Sequence, residues 1–131
     1  MKTKVVSISA DDSLSIVKEI MEYGRVRHLP VVSGGELVGV VSERNLLHAS
    51  LSNVMGIPAE EQRLFLEGVK ISEVMSSPPI SLQPGDSIQE AARLMAERKI
   101  GCLPILDDDG KLVGILTETD VLGYLARLDL G

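Results

Sequence analysis

Residues 99–122 read KIGCLPILDDDGKLVGILTETDVL. Two short aliphatic runs, CLPIL at 102–106 and LVGIL at 112–116, flank DDDGK, a cluster of residues that favour tight turns. The pattern predicts a two-stranded hairpin. Thr117 then stands three residues before Asp120, the spacing at which a hydroxyl and an acid close the first turn of a helix. The same phrase occurs earlier, at 25–47, as RVRHLPVVSGGELVGVVSERNLL. There Gly39 answers Gly114, Ser42 answers Thr117, Glu43 answers Glu118, and Asn45 takes the place of Asp120.

The correspondence continues outward. Ser13 in ADDSLSIVKEIM and Ser87 in PGDSIQEAARLM lie 87 − 13 = 74 residues apart. At that offset Asp12 matches Asp86, Met21 matches Met95, and Pro30 matches Pro104. After the longer turn, DDDG for SGG, the offset becomes 114 − 39 = 75. The chain is a tandem duplication. Each copy begins with an extended lead-in, VVSI or PPISL, followed by a helix. Leu14, Val17, Ile20 and Met21 have helical spacing, as do Ile88, Ala91, Ala92 and Met95, and Ser87 with Glu90 reads as a capping box. Each copy is therefore β-α-β-β-α.

Aliphatic strands beside helices imply an α/β fold, with one face of each sheet covered by helices. One copy of about 50 residues buries little surface alone, so two pseudo-symmetric repeats packed sheet to sheet are expected. The boundaries are repeat one at 1–50, a helical connector at 51–71 and repeat two at 72–131. Within residues 48–71, PAEEQRLFLEG predicts an extra helical turn or two, with Pro58 near its start and Gly68 near its end, and His48 is expected on the surface after a helix. The second copy has a preamble, VKISEVM at 69–75, with no counterpart before Lys4. Either the first repeat is trimmed or the chain is part of a longer protein.

Hydrophobic residues make up 44% of the chain and aromatics 2%, so the core must be aliphatic. The net charge is −6, without a basic run or stacking aromatics, which argues against nucleic acid as a partner. Residues 1–71 sum to −1 and residues 72–131 to −5, so the acidity is concentrated in the second copy. No apolar run reaches the roughly 20 residues that span a bilayer, so no membrane partner is expected. A single cysteine, Cys102, cannot form an internal disulfide and suits a reducing cytoplasm. Cys102 reads as a small buried hydrophobe. Asp107–Asp109 read as solvated acids in a turn, and His28 and His48 lack zinc spacing, so no metal site is expected. No nucleophile–base pair can be named, so no catalytic residue is assigned.

The duplicated set, with aliphatic-Pro-aliphatic before each hairpin and Gly-x-x-(Ser/Thr)-x-x-(Asp/Asn) after it, resembles the CBS-domain pair, named for cystathionine β-synthase. The resemblance covers nearly the whole chain, and VMSSPPISLQPGDS is similar to that family's usual start of a repeat. It implies a regulatory module without catalysis and without a required cofactor. Such a module senses AMP, ADP, ATP or S-adenosylmethionine in clefts between its repeats. It also implies association into a homodimer and a regulated partner protein or domain. The alternative is a ligand-free dimerisation module of the same fold.

The residues give that site a chemistry. A helix starting near Thr117 offers free N–H groups and a positive dipole end, which attract phosphate. Gly114 removes a side chain where a ligand would approach the strand. Thr117 has a hydroxyl for a phosphate oxygen, and Asp120, when ionised, accepts from two ribose hydroxyls. The same pair also fits a capping box that needs no ligand. Adenine is expected against Ile80 and Ser81, with the Cys102–Pro104 backbone at its edge. In the first copy, Ser42 keeps the hydroxyl and Asn45 replaces charge with an amide, so weaker ribose binding is expected there. Arg44 is either a phosphate contact or a solvated first-turn charge. Arg27 and His28 occupy a position that the resemblance makes phosphate-binding. The alternative places them at a strand edge facing water.

Overall fold

The computed structural model describes residues 5–51 and 58–128. In the first repeat, β1 (Ile8–Ser9) leads to α1 (Leu14–Gly24), then β2 (His28–Ser33), β3 (Glu36–Ser42) and α2 (Glu43–Leu51). The sheet order is β1-β2-β3, with β1 parallel to β2 and β2 antiparallel to β3. The lead-in is thus shorter than VVSI and falls at Ile8–Ser9. Leu14, Val17 and Met21 are buried and Ile20 packs beside them, so the helical stripe faces the core with Leu29, Val31 and Val41. The turn between β2 and β3 uses Gly34 at φ 59° and Gly35 at φ 84°, which side chains rarely tolerate. His48 lies within the last turn of α2, because that helix continues to Leu51 instead of ending before the histidine.

The second repeat has α4 (Ile88–Arg98), β4 (Cys102–Leu106), β5 (Leu112–Thr117) and α5 (Glu118–Arg127). Strands β4 and β5 form the predicted hairpin, and the lead-in contributes one parallel bridge, Leu82 to Ile105. Its core is Leu82, Ala91, Met95, Leu103, Ile105 and Leu116. Asp107 Oδ1 accepts from the Asp109 and Lys111 N–H groups, both at 2.9 Å, so the acidic run builds the turn. Ser87 accepts from the Glu90 N–H at 3.0 Å, half of the expected capping box. The Glu90 carboxylate turns instead to Arg93, whose Nε donates at 3.0 Å. An arginine one turn along the helix is a stronger partner for a carboxylate than a neutral N–H.

Between the repeats, α3 (Ala59–Glu67) starts after Pro58 and stops at Gly68, as its sequence predicts. Leu66 and Ile71 are buried in the first repeat's core. Gly39 has no room for a side chain, since a Cβ there would stand 2.6 Å from the Met75 sulfur and 2.9 Å from the Ser76 carbonyl. The preamble 69–75 therefore packs on the first repeat. The described chain forms two units, Val6–Pro79 and a second that begins at Ile80 and includes Val5. Among the described residues, no helix is long and apolar enough to cross a membrane.

Candidate functional site

In the second repeat, β5 runs directly into α5 through Thr117, which is extended at φ −111°, ψ 165°. Its hydroxyl accepts from the Asp120 N–H at 3.3 Å and donates to Asp120 Oδ2 at 3.1 Å. The Thr117 N–H also donates to Asp120 Oδ2, at 2.9 Å. This capping box is complete. The hydroxyl proton assigned by sequence to a phosphate is thus directed at Asp120, and one oxygen of the acid is committed to the cap. The Glu118 N–H is taken by the Gly101 carbonyl at 3.0 Å, which ties the start of α5 to the start of β4.

That tie brings the sequence-assigned residues together. Cys102 pairs with Thr117, Pro104 with Ile115, and Ile105 with Gly114 across the hairpin. On the other side of β4, the Leu82 N–H donates to the Pro104 carbonyl at 2.9 Å, and the Leu106 N–H donates to the Leu82 carbonyl at 2.8 Å. Ile80 and Ser81 thereby lie at the edge of β4, Ile80 half-buried and Ser81 exposed. Cys102, Pro104 and Gly114 are buried, while Thr117 and Asp120 are half-buried. Burial pushes the Cys102 thiol up to about 12, and the nearby Asp120 carboxylate adds to the shift.

The first repeat repeats this arrangement. The Ser42 N–H donates to Asn45 Oδ1 at 2.8 Å, and the Ser42 hydroxyl donates to it at 2.9 Å. The Asn45 N–H returns a bond to Ser42 Oγ at 3.1 Å. The Glu43 N–H donates to the Arg27 carbonyl at 2.8 Å, and His28 pairs with Ser42 in the sheet. Arg27 and Arg44 are exposed, and His28 is half-buried. Sequence reasoning missed these backbone ties from Gly101 and Arg27. Their signal was the similar spacing between each strand start and the helix that follows its hairpin, 43 − 27 = 16 and 118 − 101 = 17 residues, which differ by the one residue added to the second turn. A groove of about 390 Å³ beside α1 and α2, lined by Lys18, Met21, Glu22, Glu43, Leu46 and Leu47, contains none of the assigned residues. No group of acids, histidines and cysteines suited to a metal occurs among the described residues.

A sequence profile of the CBS domain matches residues 1–52 and 71–127. The chain belongs to the CBS-domain family. A CBS domain-containing protein of Dictyostelium discoideum is 30% identical over 129 residues, covering 98% of this chain and 89% of that one. An inosine-5'-monophosphate dehydrogenase of Korarchaeum cryptofilum is 29% identical over 117 residues, covering 89% of this chain but only 21% of the dehydrogenase. The solved structure of CBSX2, an Arabidopsis thaliana protein, in complex with AMP superposes with a TM-score of 0.77 at 29% identity. That match covers 96% of this chain and 90% of CBSX2. The CBS pair thus accounts for both repeats, and the dehydrogenase has most of its length outside the match.

Proposed function

We propose that this CBS pair is a regulatory module that binds an adenosine-type ligand and passes its occupancy to a partner domain or to a second copy of itself. One observation carries the reading. Asp120 lies at the N-terminus of α5, beside the start of β4, in a chain that resembles a protein solved with AMP. Its carboxylate takes the ribose hydroxyls and the lead-in at Ile80 and Ser81 takes the adenine. In the first repeat, Arg27 and His28 supply phosphate contacts beside Ser42 and Asn45, and Arg44 adds positive charge there. The ligand acts as a signal, so neither catalysis nor a cofactor is required. A reducing compartment such as the cytoplasm suits the lone thiol.

Both capping boxes are complete without a ligand, which favours a second reading: the same fold serving only for dimerisation. Titration calorimetry with adenosine, AMP, ADP, ATP and S-adenosylmethionine separates the two. Saturable binding of at least one compound, with a raised Tm, is expected. Absence of binding across the panel at millimolar ligand would leave the dimerisation reading in its place.

A further inference from the structure

Residues 69–76 are anchored to the first repeat at both ends. The Leu14 N–H donates to the Val69 carbonyl at 2.9 Å, and the Ile71 N–H donates to the Asp12 carbonyl at 3.0 Å. At the far end the Val40 N–H donates to the Ser76 carbonyl at 3.1 Å, and the Ser76 N–H donates back at 2.8 Å. Val40 is two residues before Ser42 on β3. Beyond Ser76 come Ser77, Pro78 and Pro79, and then Ile80 and Ser81 of the second candidate site. Leu82, the next residue, is bonded to β4 through both its N–H and its carbonyl.

Between Ser76 and Leu82, the bonded residues on either side, lie five residues, two of them proline, and Ile80 among them packs against the second repeat's core. Each ring fixes its own φ, and each proline narrows the range of the residue before it, here Ser77 and Pro78. A flexible link of equal length would absorb a shift at either end by rotation. We propose that Ser77–Pro79 is a stiff coupling, through which the seating of Ser76 on β3 and of Leu82 on β4 depend on each other. By this path occupancy at Asp120 is felt at the Ser42–Asn45 site. Only that last step rests on the adenosine-ligand reading.

The test uses hydrogen exchange on the full chain without ligand. Met75→Ala removes the side chain that covers Gly39, and Gly39→Ala forces Met75 and Ser76 away. Both variants should speed exchange at Val40 and Ser76 and also, about threefold or more, at Leu82 and Leu106. Amides within α4 should keep their rates. If Gly39→Ala fails to fold, Met75→Ala alone gives the result. Inserting Gly-Gly between Pro78 and Pro79 should abolish the effect at Leu82 and Leu106 while leaving it at Val40 and Ser76. Unchanged rates at Leu82 and Leu106, or an effect that survives the insertion, would overturn the coupling. In a second arm, saturating AMP should slow exchange at Val40 and Ser76. AMP that binds without doing so overturns the site-to-site step. AMP that does not bind counts against the proposed function, and the ligand-free arm still decides the coupling.

Discussion

Asn45 and Asp120 build the same cap from different atoms. The Asn45 oxygen accepts from both the N–H and the hydroxyl of Ser42, so its amide orientation is fixed and its NH₂ is directed away as a donor. Asp120 also uses one oxygen for the cap, but its other oxygen is again an acceptor. A ribose diol offers protons that a second carboxylate oxygen can take and an NH₂ cannot. Under the proposed ribose role, Asn45 therefore differs from Asp120 by more than charge. Thr117→Ala removes the acceptor for the Asp120 N–H and should cost about 1 kcal/mol of stability, read from urea unfolding. Cys102 adds a pH dependence. Its thiol is held protonated up to about 12, against an ordinary 9.0, because burial disfavours the thiolate. The unfolded chain releases that proton first, so this stability is fully present below 9.0 and is lost as pH rises toward 12. Cys102→Ala should flatten the fall in stability above pH 9.0, and an unflattened fall would assign it to other groups.

Among the elements, the helix stripes and hairpins were legible because their periods follow directly from which faces are buried. Leu14, Val17 and Met21, or Ala91 and Met95, can face only the core. The strap was not legible. VKISEVM stands beside the second repeat in sequence, yet Ile71 is fully buried in the first repeat's core. A local pattern carries no record of which sheet edge a connector will cover. Ile71→Ala should accordingly destabilise the protein by about 2–5 kcal/mol, a loss visible in the unfolding midpoint. The candidate site was partly legible: the hydroxyl and acid spacing identified the cap, whereas the ties from Gly101 and Arg27 depend on strand register. Helix α4 has its own acid sensitivity. Arg93 holds Glu90 below the ordinary 4.5, chiefly by hydrogen bonding, so the pair's contribution is present above 4.5 and lost as pH falls through the lowered value. Arg93→Gln should leave α4 exchange rates less sensitive to acid, and equal sensitivity would remove the pair from the account.

At the scale of the whole molecule, the duplication supplies two similar caps and the sequence has made them chemically unequal. Leu122 at 63% exposure, Leu125 at 51% and Leu47 at 53% lie on the helices that follow the two hairpins. Such helical faces suit a two-fold interface, and a homodimer is expected by sedimentation. Monomer alone at high micromolar concentration would count against it. The central claim is that Asp120 binds a ribose instead of serving only as a cap, and Asp120→Asn tests it because Asn45 already holds the same cap as an amide. AMP affinity should fall by about 1–3 kcal/mol, roughly five- to over a hundred-fold, as one charged acceptor is lost. The Tm of the ligand-free variant should barely move. Unchanged AMP affinity with a much lower ligand-free Tm would contradict the claim and leave Asp120 as a helix cap.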